Sequence, residues 1–304
     1  MLQEQITRYK SLDFFARQIV EGFITGRHRS PFHGFSAEFS DYRQYNSGES
    51  TKNIDWRLYA RTDKLYVKQF QEETNLRCQL LIDHSSSMLF PREGQCDFEH
   101  PNKLTFALLA SAVLIELLYR QRDAFGLSLL SSGIDSFVPP RSNEAHRQHI
   151  FGLLERQLSV SDQQPTDICN AIHLTAEQLH RRSLVVLFTD ALLPSDQWDS
   201  FLDALRHLRH NKHEVVLFHT LHKSKELSLD YDSRPYRFID LESGRHLQLN
   251  PAEIAEAYSA QMHRMQADLQ QHALQYRIDY QPVDVALGFH QVILPFLLRR
   301  SKLM

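Results

Sequence analysis

Asp83, Ser85 and Ser87 place three oxygen-bearing side chains at alternate positions, directly after the apolar residues Leu80, Leu81 and Ile82. The apolar run reads as a buried strand, and Asp83 stands where such a strand leaves the core. In an open α/β sheet, a loop at a strand's carboxyl end lies where ligands bind. Carboxylate and hydroxyl oxygens are hard donors that suit Mg²⁺ before Zn²⁺. Asp and Ser at this spacing also close ordinary turns, so the reading depends on what the rest of the chain brings beside them.

Two later positions supply candidates. Thr166 directly precedes a predicted helix, and Asp190 ends the apolar run 184–188. If the strands are neighbours, Asp83, Ser85, Ser87, Thr166 and Asp190 converge at one sheet edge.

Composition sets the frame for these elements. The chain has 304 residues, with 42% hydrophobic, 23% charged and a net charge of -3. That is enough for one large core or two small ones, and it gives no electrostatic footprint for nucleic acid or an anionic membrane. The three cysteines, Cys78, Cys96 and Cys169, have neither metal-ligand nor redox spacing and are expected to be reduced thiols. No P-loop or G-x-G-x-x-G pattern occurs. The most apolar window, 104–119, carries Glu116 and is too short to span a bilayer, so it predicts a core helix. The polar N-terminus does not read as a signal peptide. The expectation is a cytoplasmic protein with no membrane span.

Apolar spacing predicts a helix over 11–25. An irregular, aromatic- and Arg-rich loop is expected over 26–50, and a strand over 65–70. From residue 78 strands and helices alternate. Strands are predicted at 78–83, 124–131, 183–190, 214–221 and 276–280, with a short strand at 136–139 and a hairpin over 236–249. Helices are predicted at 103–121, 144–158, from 165 to about 180, 195–211, 251–275 and 284–300. The alternation predicts an α/β class with a mostly parallel sheet covered on both faces. Residues 1–75 have too few apolar positions for a core of their own, so they are expected to form an N-terminal helix and an arm packed on an α/β domain over 76–304. The strand 65–70 is expected to lie beside that sheet or extend its edge, with Trp56 largely buried and Arg57 or Arg61 paired to an acid.

The order Asp-x-Ser-x-Ser, then Thr, then Asp resembles the metal-ion-dependent adhesion site of the von Willebrand factor A fold. The resemblance implies that Asp83, Ser85, Ser87, Thr166 and Asp190 hold Mg²⁺, or Mn²⁺ or Ca²⁺, with a position left for a partner's carboxylate. Many relatives carry glycines before the Thr, whereas this chain has Gln164-Pro165. The upstream block is Phe39-Ser40-Asp41-Tyr42-Arg43, Tyr45 and Gly48-Glu49, then Ile54-Asp55-Trp56-Arg57, Ala60-Arg61-Thr62 and Leu65-Tyr66-Val67-Lys68. It resembles the bacterial family called domain of unknown function 58 over nearly the whole chain. That resemblance implies a non-enzymatic interaction module with a MoxR-type AAA+ ATPase and an acidic client protein as partners. Arg43, Asp55, Trp56, Arg57 and Arg61 then either lock the arm or dock a partner. A metal-dependent hydrolase using the same pocket, and a metal-free scaffold, are the alternatives.

Among other candidates, His207 and His210, and likewise His146 and His149, share helix faces at three-residue spacing that can bind Zn²⁺. No acid or Cys joins either pair in an obvious way, so solvated faces are expected. A serine hydrolase would need a base and an oxyanion hole beside Ser85 or Ser87, and no Gly-x-Ser-x-Gly elbow is present.

Overall fold

The computed structural model describes residues 11–25, 39–44, 56–70, 76–91, 100–158, 167–241, 244–289, 293 and 295–297. The chain divides into two compact units, one of residues 1–31 with 77–304 and one of residues 32–76.

The larger unit is built on a six-stranded sheet. Its strands are β3 (Arg77–Asp83), β4 (Ala124–Leu130), β5 (Ile134–Arg141), β6 (Leu184–Thr189), β7 (Glu214–Leu221) and β10 (Asp279–Asp284). Their order is β10-β7-β6-β3-β4-β5, parallel throughout except for β5, which runs antiparallel to β4. The central strands β3, β6 and β7 are apolar almost without interruption and buried on both faces, as parallel strands under helices must be. The two edge strands carry the prolines, Pro139 and Pro140 in β5 and Pro282 in β10, where a missing amide donor is tolerated.

Side chains of successive strand residues point to opposite faces. Leu81, Val185, Leu187, Val215 and Leu217 pack with α5 (Ile168–Gln178), α6 (Trp198–His210) and the end of α7 (Pro251–Gln275). On the other face Phe188 stacks on Phe218, which meets Phe296 edge-on. There too Phe289 bridges Phe106 of α3 (Lys103–Arg120) and Phe15 of α1 (Leu12–Thr25). Helix α3 is apolar around its whole circumference and starts under the Asn102 cap, whose side chain accepts from the Thr105 amide at 2.7 Å.

Helix α1 belongs to this unit. Leu12, Phe15, Ala16, Val20 and Phe23 are buried. Arg147 of α4 (Glu144–Gln157), itself 1% exposed, binds Asp13 of α1, Glu116 of α3 and Glu144 of its own helix. Its guanidinium holds the Glu144 carboxyl down to about 2.

In the smaller unit, β1 (Phe39–Gln44) pairs antiparallel with β2 (Tyr66–Phe70), and α2 (Trp56–Thr62) lies between them in sequence. This corrects two expectations. The stretch expected as an irregular loop contains a strand, and the strand at 66–70 pairs with it in a two-stranded sheet rather than extending the edge of the large one. The last sheet strand falls at Asp279–Asp284, later than 276–280, because its pairing with β7 sets its bounds. The predicted hairpin is β8 (Tyr236–Ile239) with β9 (His246–Leu249). Of the closing helix, residues 289, 293 and 295–297 are described and are helical. Among the described residues no helix is long and apolar enough to cross a membrane.

Candidate functional site

Strands β3 and β6 are neighbours, so Asp83 and Asp190 leave the same sheet edge side by side. Asp83 is 2% exposed. One of its oxygens accepts the Ser85 amide at 3.0 Å, the short-range turn that an Asp two residues upstream favours. The other accepts the Thr189 hydroxyl at 2.8 Å. The Ser85 and Ser87 hydroxyls lie 3.0 Å apart. The Ser85 hydroxyl favours the ionised form of Asp83 and the Ser87 hydroxyl that of Asp190. The four side chains gather at one sheet edge.

Asp190 is fixed from three sides. One carboxylate oxygen accepts the Leu192 amide at 3.1 Å. Its carbonyl accepts from His219 Nε2 at 2.9 Å, while His219 Nδ1 faces the Tyr280 hydroxyl at 2.7 Å. Burial pushes the His219 ring down to about 4, so it stays neutral near pH 7. The other Asp190 oxygen binds Lys103 Nζ at 2.7 Å. Lys103 is 0% exposed and also binds Glu226 at 2.6 Å.

Sequence reasoning missed Lys103, Glu226 and Thr189. The available signal for Lys103 was a lone cation directly before the most apolar stretch of the chain. A lysine buried there demands an anionic partner.

The electrostatics follow from this arrangement. Burial and the neighbouring Asp190 push the Asp83 carboxyl up to about 7. Burial also works against the Asp190 charge, but Lys103 outweighs it and holds Asp190 below the ordinary range. Burial pushes Glu226 up despite its bond to the same ammonium. Asp190 and Glu226 thus share one ammonium while Asp83 is bonded only to neutral donors, so full ionisation of all three acids would leave two negative charges uncompensated. The donor set therefore fits a hard divalent cation in both oxygen chemistry and charge. Two of its members are acids and two are hydroxyls; among the described residues no three His, Cys, Asp or Glu side chains cluster as a metal site.

Thr166 lies outside the described residues. The amide of the next residue, Asp167, donates to the Ser131 carbonyl at 3.0 Å, and Asp167 caps α5. Ser131 follows β4, so the start of α5 is tied to the same sheet edge.

The remaining candidates fall elsewhere. Asp55 is outside the described residues. For Arg43 the backbone lies in β1 and for Arg57 in α2. Arg61 is exposed. Trp56 is 60% exposed, which corrects the expectation that it is buried; its ring meets Tyr59, one turn on along the same helix, edge-on at 6.3 Å. His146 is likewise not on a solvated face. It is buried, with Nε2 on the Phe125 carbonyl at 2.8 Å, while His149 is exposed.

For hydrolysis, the histidine nearest in sequence is His84. Its Nε2 pairs with Asp135 at 2.5 Å, and its Nδ1 is buried without a hydrogen-bond partner among the described residues. Neither nitrogen bonds the Ser85 or Ser87 hydroxyl.

A covered, mostly parallel sheet with an Asp-x-Ser-x-Ser loop on its central strand and a second acid on the adjoining strand defines a von Willebrand factor A-like domain. The chain belongs to the family described as Protein of unknown function DUF58, whose model matches residues 41–268. It is 26% identical over 249 residues to an uncharacterized protein of Mycobacterium tuberculosis, covering 80% of this chain and 73% of that one. Among solved structures it is similar to the conserved hypothetical protein BatB from Bacteroides thetaiotaomicron. The TM-score is 0.48 at 16% identity, over 75% of this chain and 98% of that one. It is also similar to an aerotolerance-related membrane protein from Bacteroides fragilis, with a TM-score of 0.46 at 17% identity, over 75% and 100%.

Proposed function

We propose that this protein is a non-enzymatic interaction module whose sheet edge at Asp83, Ser85, Ser87 and Asp190, with Thr166, binds Mg²⁺ and a carboxylate of a partner protein. The observation that carries the reading is a buried carboxyl, Asp83, that meets only neutral donors and stands beside Asp190 among further hard oxygen donors. Asp83 is buried, pushed up to about 7, and bonded only to neutral donors. A divalent cation there would supply the missing positive charge and an open position for an acidic ligand.

The chain's own residues preset the rest. Lys103 holds Asp190 ionised, His219 fixes its backbone, and Thr189 and the Ser85 amide orient Asp83. What supports binding over hydrolysis is that the serine hydroxyls bond one another, with His84 turned to Asp135. A MoxR-type AAA+ ATPase and an acidic client are the proposed partners, on the strength of the family resemblance.

The test is thermal melting with Mg²⁺ or Mn²⁺, followed by co-purification with and without the metal. Wild type should gain stability by mass action, about 2.7 kcal/mol at a hundredfold excess over the dissociation constant. Asp83→Ala should lose that gain and keep its fold. No shift in wild type would sink the metal reading. Turnover of ester or phosphate substrates abolished by Ser85→Ala would replace the module with a hydrolase.

A further inference from the structure

A histidine pair that joins two helices lies at the opposite end of the helical layer from the oxygen site. His173 of α5 and His207 of α6 bring their Nδ1 atoms to 2.9 Å, with ring centroids 5.1 Å apart and planes tilted by 39°. Helix α6 leads from the Asp190 edge back to the start of β7, and His207 is in its last turn. The pair therefore sits toward the amino edge of the sheet, away from the oxygen site. Both rings are half-buried and line an open groove of about 610 Å³, which Asp203 and His210 line as well. Asp203 is four residues before His207 on its helix and His210 three after, so both project near the same face.

We propose that His173 and His207 bind a borderline transition-metal ion, Zn²⁺ in the first instance, between α5 and α6. Two Nδ1 atoms on adjacent helices already converge on one point and face solvent-accessible space. Imidazole nitrogens select Zn²⁺, Ni²⁺ or Cu²⁺ over Mg²⁺. At Zn–N lengths of about 2.0–2.1 Å, tetrahedral geometry separates two nitrogens by roughly 3.3 Å, so the rings need to part by only about 0.4 Å. Without metal, one Nδ1 carries the shared hydrogen and the other accepts it. On binding, the donor ring moves to its Nε2–H tautomer, both Nδ1 lone pairs turn to the ion, and the neutral pair releases no net proton. Among the described residues no third side chain of metal-binding type is already in place, so water completes the shell from the groove.

The experiment is calorimetric titration of the full chain with Zn²⁺, run on wild type, His173→Gln, His207→Gln and Asp83→Ala. One equivalent should bind to wild type and to Asp83→Ala and be lost from both histidine variants. Melting temperatures without metal should stay near that of wild type. Because Asp83→Ala removes the oxygen site, its result separates this inference from the proposed Mg²⁺ function. The X-ray absorption spectrum of Zn²⁺-loaded wild type gives a readout that needs no variant, and it should show two imidazole nitrogens with oxygen ligands. Failure of wild type to bind an equivalent, retention in either histidine variant, loss in Asp83→Ala, or an all-oxygen shell would each overturn the site.

Discussion

Replacing Lys103 by Met tests whether charge balance holds the candidate edge together. Met keeps most of the buried aliphatic stem, so the substitution removes the ammonium without opening a large cavity. The ammonium is 0% exposed and lies 2.7 Å from Asp190 and 2.6 Å from Glu226. Stripping one partner from a buried ion pair costs about 3–5 kcal/mol. The acids can limit that cost by taking up protons. Holding Asp190 protonated at about pH 7.5, against an ordinary pKa of about 3.9, costs roughly 5 kcal/mol, which sets the ceiling. Glu226 adds little because burial already raises its pKa.

The sign of the pH dependence follows. In wild type Asp190 lies below its ordinary value, so its contribution is present above that value and is lost as pH falls through the folded one. In Lys103→Met the folded value is raised, so stability is lost as pH rises toward it. Both effects widen the gap at high pH, by up to about 1.4 kcal/mol per pH unit. Urea unfolding followed by circular dichroism across a pH series measures it. A deficit below about 1 kcal/mol at about pH 7.5, or one that does not change with pH, would refute the charge argument and leave a packing effect.

Arg147→Met should cost about 1–3 kcal/mol, because it removes the buried bonds that join three helices while Glu116 keeps Arg120 and Asp13 keeps Arg17, and Arg147→Lys should recover little since the bidentate bond to Glu144 needs the guanidinium fork. Thermal or urea unfolding of both variants checks this; a loss under about 1 kcal/mol would make the network incidental. Trp56→Ala should shift stability by no more than about 0.5 kcal/mol, as for other exposed positions, and a loss above about 3 kcal/mol in urea unfolding would return Trp56 to a core.

Sequence patterns announce what depends on neighbours in the chain and hide what depends on pairing across it. The strands ending in Asp83 and Asp190 were legible because parallel strands buried on both faces are written as continuous apolar runs. Strand β1 was not, because Phe39–Gln44 mixes aromatic and charged residues and is specified by its partner more than twenty residues on. Trp56 was misread for the complementary reason: a large aromatic predicts burial on average, whereas its place on the short helix α2 leaves it exposed. Lys103 is the deepest omission. In sequence it is one more cation at a helix start. Its role exists only because Asp190 is 87 residues away and Glu226 is 123 residues away. The motif therefore conveyed the chemistry of the donors but not their charge balance, which is a sum over three separate loops. That sum is what the proposed cation would balance: Asp83 is bonded only to neutral donors, and one ammonium is divided between two other acids.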